Sequence, residues 1–166
     1  MRIEITKGAQ EDRIVATRGD GSTAATTFPK KGPVPHDAVH WFVERELGLA
    51  GAFWGMVAAG REPEQIAAIA KAAGHASASR AEVLEPQIVE LLQAERLVEC
   101  FEADLWGGGG AAADLIAVAA TACDYSHVPL PELDEPDVER IRDQLGKFAQ
   151  SWIAAPMGHV AKLEWS

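Results

Sequence analysis

Between Pro29 and Pro35 the chain changes its hydrophobic period, and that switch limits the folds open to it. Ahead of it, Ile3 and Ile5 alternate with Arg2, Glu4 and Thr6, the two-residue repeat of a half-buried strand. Arg13 to Arg18 reads as a second strand. Gly19-Asp20-Gly21 supplies a hairpin turn that tolerates positive φ, and the Thr-rich run from Ser22 to Phe28 gives a third strand. Beyond the switch, apolar residues recur at three and four: Val39, Phe42, Val43 and Leu47. The connector itself holds Pro29, Gly32, Pro33 and Pro35, a stiff stretch that ends the sheet and starts a helix. Pro35 suits a first helical turn, and Asp37 favours the positive end of the helix dipole.

The helical repeat then runs on with interruptions. Gly48 and Gly51 break the first helix, and a short second one carries Phe53, Trp54, Met56 and Val57. A third follows Glu62-Pro63-Glu64 with Ile66 and Ile69 on one side. Ser79 with Glu82 spells a capping box, although Pro86 cannot lie inside a straight helix that begins there. Ile88, Leu91, Leu92, Val98, Phe101 and Leu105 give the longest helix its apolar face. Ala111 to about Cys123 is apolar almost throughout and is expected to be buried on most sides. In the last helix Val138, Ile141, Leu145, Phe148 and Trp152 repeat at three, four, three, four, with Asp134 or Glu135 as the cap and Pro136 in the first turn. Val160, Leu163 and Trp165 mark a closing strand. The expected architecture is one α+β domain: a small antiparallel sheet of three N-terminal strands (1–28) plus a C-terminal strand (159–165), with about five to six helices (35–154) packed on it.

Charge and cysteine usage exclude several roles. With 25 acidic against 15 basic residues among 166, the net charge of −10 disfavours nucleic acid as a partner, and no basic stripe offsets it. No apolar run is long enough to span a membrane, and the strand pattern that follows Met1 is not a signal peptide. A cytoplasmic location is therefore expected, with Cys100 and Cys123 as reduced, buried thiols on separate helices.

Chemistry concentrates between Pro33 and Gly60, which holds two of the five histidines and two of the five tryptophans. His36 and His40 are four apart on a helix, about 6 Å along its axis, so one face presents both imidazoles to a single divalent metal such as zinc. Asp37 takes the position of the general base in metalloprotease helices but is one methylene shorter. Glu44 lies about 12 Å along the axis from His36, too far to share an ion with it. It can instead orient His40 from behind, or serve as the base. Asp124 and His127 are the expected source of further metal ligands, with His75 and His159 as isolated alternatives. A buried His36 at the helix N-terminus is expected to be neutral. Trp41 and Trp54 are candidates to line a small-molecule pocket with His40 at its mouth. Glu95, Glu99 and Glu102 form a carboxylate line on the long helix, expected to be a solvated face. These residues predict a metal or small-ligand site, hydrolase-like if catalytic, in which Asp37 or Glu44 activates water. The competing expectation is an interaction module, with the aromatic segment as core or as a homodimer surface.

The string Phe28-Pro29 … Gly32-Pro33 … Pro35-His36-Asp37 … Val39-His40 … Val43-Glu44 … Leu47-Gly48-Leu49 … Phe53-Trp54-Gly55 resembles a family of small bacterial proteins of unassigned function. The resemblance implies a bacterial origin and the order sheet, then helices. It implies no activity or cofactor.

Overall fold

The structure is a computed structural model; it describes the backbone of residues 1–78 and 86–166 and the side chains of 1–71 and 88–166. Strands β1 (Arg2–Thr6), β2 (Glu11–Thr17) and β3 (Thr23–Pro29) form an antiparallel meander. Strand β4 (Val160–Glu164) returns from the far end of the chain and pairs antiparallel with β1, giving the order β3-β2-β1-β4. The register sets Ile3 opposite Ala16 and Leu163, and Ile5 opposite Ile14. All five of those residues are buried, so one sheet face joins the core while the face carrying Arg13 and Thr27 looks outward. The expected α+β arrangement of a four-stranded antiparallel sheet with helices is the one found.

The described residues form six helices: α1 (His36–Glu46), α2 (Phe53–Ala58), α3 (Pro63–Ala78), α4 (Pro86–Gly107), α5 (Ala112–Tyr125) and α6 (Glu135–Ala154). In α6 the amphipathic stripe does what its spacing predicts, burying Val138, Ile141, Leu145 and Trp152. Asp134 is its cap. Its side chain accepts from the Asp137 N–H at 2.8 Å, and Asp137 accepts from the Asp134 N–H at 3.0 Å. Asp104 of α4 receives Arg142 of α6 through two bonds of 2.8 and 2.6 Å, which fixes those helices side by side. No helix is long and apolar enough among the described residues to cross a membrane.

Two sequence expectations need correction or fall outside the view. Helix α5 buries only Ala112, Leu115, Ala119 and Cys123, and Val118 is 57% exposed. Its apolar character comes largely from alanines, which cost little when left in water, so apolar composition does not imply burial on all sides. The capping-box pattern at Ser79 and Glu82 lies outside the described residues, as does the side chain of His75. Among the described residues α4 runs from Pro86, a residue whose missing N–H suits a first helical turn.

The break between α1 and α2 is built by glycines. Gly48 adopts φ +64°, the left-handed turn that ends α1. Gly55 lies so close to Ala50 that a Cβ there would stand 1.9 Å from the Ala50 carbonyl oxygen. That approach folds the start of α2 back over α1 and delivers the Trp54 N–H to a carboxylate of α1.

Candidate metal centre

Helix α1 lies against α4, and the surface between them is not apolar throughout. His36 and His40 project from α1 with their rings 4.8 Å apart, edge to face. Opposite them stand Glu102 and Glu95 of α4. His36 Nδ1 is 3.0 Å from Glu102 Oε1, and His40 Nδ1 is 2.8 Å from Glu44 Oε1. A carboxylate can only accept, so each Nδ1 carries a proton and donates it. The other nitrogens face one group: His40 Nε2 is 3.2 Å and His36 Nε2 3.7 Å from the two oxygens of Glu95.

These distances have a chemical meaning. With Nδ1 protonated, a neutral imidazole turns its Nε2 lone pair toward the lone pairs of Glu95. Something positive must occupy that gap, either protons or a metal ion. Two ligands bound to one ion at about 2.1 Å stand roughly 3.0 to 3.4 Å apart at right-angle to tetrahedral geometry. The His40 Nε2–Glu95 separation of 3.2 Å falls within that span, and the His36 Nε2–Glu95 separation of 3.7 Å lies just beyond it and is too long for a hydrogen bond. His36, His40 and Glu95 each offer one ligand atom within 4.8 Å of the others. Two imidazoles and one carboxylate form a common catalytic ligand set for divalent metals, with further positions left open.

The electrostatics follow the same contacts. Burial opposes charge on His40, but its bonds to Glu44 and Glu95 outweigh that and push its pKa up to about 10. His36 is likewise raised, because Glu102 and Glu95 overcome burial. His36 is only partly buried, so the condition for a neutral ring is not met, and Glu102 and Glu95 favour its charged form against the helix N-terminus. The adjacent imidazoles of His36 and His40 hold the Glu95 carboxyl well below the usual carboxylate range.

Glu44 is completely buried, which pushes its carboxyl up, and both its oxygens are engaged. One accepts from His40 and the other from the Trp54 N–H at 2.8 Å. It orients the ring, the role its spacing predicted, and its engaged oxygens remove it from the candidates for a base that meets substrate. Asp37 differs. Burial pushes its carboxyl up, with His40, His36 and Lys31 pulling against it, and no other side chain bonds to it among the described residues.

A cavity of about 230 Å³ adjoins the cluster. His36, Asp37, His40 and Glu95 lie in its polar lining together with Asp12, Lys30 and Lys31, and Phe28, Phe53, Ile66 and Leu91 are among the apolar residues. The aromatic lining is thus not the predicted one. Trp41 is 5% exposed and packs edge-on against Phe42. Trp54 is 1% exposed and donates its indole N–H to the Asp37 carbonyl at 2.9 Å. Both belong to the core, as a helix that must pack bulky rings against a sheet would place them. Nor do Asp124 and His127 join the centre. They are exposed at the end of α5, where His127 turns with φ 57°, and they form no part of the ligand cluster. His159 stacks edge-on against Trp152 at 6.0 Å, near β4.

The residues the sequence reading missed are Glu95 and Glu102, set down as a solvated face. Their spacing of seven on α4 matches two helical turns, as the spacing of four on α1 matches one. A histidine stripe and a carboxylate stripe on helices of this length were the available signal. Glu99 of the same line instead pairs with Arg96 at 2.8 Å. Compared with protein-family models, curated proteins and solved structures, the chain matches none of them.

Proposed function

We propose that this chain binds one divalent metal ion, zinc being the first candidate, through His36 Nε2, His40 Nε2 and Glu95, and uses it in hydrolysis of a small molecule. The observation that carries the reading is the matched orientation of the two rings. Each gives its Nδ1–H to its own carboxylate, Glu102 or Glu44, and turns Nε2 to the shared Glu95. Carboxylates behind both ligating imidazoles fix their tautomers and raise their basicity, which is how hydrolytic metal sites are supported. An ion held by His36, His40 and Glu95 would supply Lewis-acid chemistry, including a lower pKa for a bound water. Asp37, on the cavity wall, would then be placed to take a proton from water and return it to a leaving group.

The test is elemental analysis of protein prepared without a polyhistidine tag, followed by titration of chelator-treated protein with zinc. One equivalent bound in the wild type, and none in Glu95→Gln or His40→Ala of unchanged far-UV circular dichroism, is the expected result. Wild-type protein that takes up no zinc, cobalt or manganese overturns the reading.

A further inference from the structure

The groups that face the cavity narrow the class of molecule it can take, an inference that rests on the metal reading above. Lys30 and Lys31 form the only adjacent basic pair in a chain of net charge −10, and both line this cavity. They are not equivalent. Lys30 Nζ faces Oδ1 of the buried Asp12 at 3.5 Å, and Asp12 in turn accepts from the Gly8 N–H at 2.9 Å. That pair is neutral and internally satisfied. Lys31 is exposed at the wall and makes no ion pair or hydrogen bond with its side chain among the described residues. A lysine left unpaired beside so many carboxylates has a cation to offer a ligand.

The charges that face the cavity then favour one sign. A divalent ion would outweigh Glu95 by one charge, Lys30 offsets Asp12, and Lys31 and Asp37 line the cavity as one charge of each sign without a bond between them. Glu44 and Glu102 each accept an Nδ1–H on the far side of an imidazole and do not line the cavity, so the ring stands between their charge and a ligand. Among the groups that line the cavity one positive charge would be left facing the ligand, enough for a monoanion and too little for a phosphate dianion beside Asp37. The remaining wall (Phe28, Val34, Phe53, Ile66, Leu91) is apolar and asks for an apolar body. The volume of about 230 Å³ falls below the roughly 300–1,000 Å³ of sites for drug-sized ligands, so that body is small.

We infer that the substrate is a small monoanionic organic acid, with an aromatic or branched apolar body against Phe28, Phe53, Ile66 and Leu91 and its carboxylate drawn to Lys31. Isothermal titration calorimetry of cobalt-loaded protein with phenylacetate, phenylacetamide and inorganic phosphate tests it. Phenylacetate should bind at least about tenfold more tightly than the amide or phosphate, the scale of one charge-assisted bond in a partly dry site. Lys31→Ala should remove that preference without altering cobalt uptake, and Lys31→Arg should restore it. Equal affinity for phenylacetate and its amide, a preference for phosphate, or an unchanged Lys31→Ala variant overturns this inference alone. Failure to take up cobalt overturns the metal reading, and this inference with it.

Discussion

His40 donates its Nδ1–H to Glu44 at 2.8 Å, one turn away on the same helix, and both side chains are buried. The second oxygen of Glu44 holds the Trp54 N–H, so one carboxylate ties the His40 ring to the start of the next helix. Glu44→Ala would leave both donors buried without a partner. We expect a loss of about 3–5 kcal/mol in urea denaturation, the usual result of removing one member of a buried charged pair. Glu44→Gln, which keeps an acceptor, should lose less, with zinc affinity reduced about 10- to 100-fold. A Glu44→Ala protein within about 1 kcal/mol of wild type would mean the carboxylate does not organise this region.

The ligand set can be separated from its rival by composition alone. Glu95→Gln should reduce bound zinc to background, whereas Asp124→Asn and His127→Ala should retain a full equivalent. Mass spectrometry of the metal content of all three, purified side by side, decides it. Loss of zinc in either α5 variant would move the site away from α4.

In the metal-free protein, pH acts through His40. Its folded pKa is raised to about 10, against about 6.5 for an unfolded histidine. The folded state therefore holds a proton that the unfolded state has released. The extra stability is complete below about pH 6.5 and is lost as pH rises toward 10. Within that window the slope approaches about 1.4 kcal/mol per pH unit. Denaturation of chelated wild type at intervals across it should show the decline, and His40→Gln should flatten it. Zinc affinity should move the opposite way, rising with pH as protons cease to compete. A metal-free protein whose stability rises from pH 7 to 9 would contradict the assignment.

Gly55 admits no side chain, because a Cβ would stand 1.9 Å from the Ala50 carbonyl oxygen. Gly55→Ala should destabilise by about 1–3 kcal/mol through forced displacement of packed backbone. It should also weaken zinc binding, since the shift carries the Trp54 N–H away from Glu44. Thermal melts with and without zinc read both effects. A melting temperature equal to wild type would show that the loop between α1 and α2 yields without cost.

Local periodicity told the sequence reader most of the architecture. The alternation of Ile3 and Ile5, the three-four stripe of α6 and the proline connector each act over a few residues, where repeats of 2.0 and 3.6 are set by the backbone itself. The same locality made the His36–His40 face and the backing of His40 by Glu44 legible, because those groups are one turn apart. Nothing local says which helix will cover that face. Glu95 lies 55 residues from His40 and Glu102 66 from His36. On α4 alone, carboxylates beside Leu91, Leu92 and Val98 read as solvated, and only packing against α1 turns them inward. Trp41 and Trp54 went to the core, and Asp124 with His127 to an exposed helix end, for the same reason. Residue type and spacing decide what a side chain can do, but its partner is chosen when distant helices meet to bury their apolar stripes.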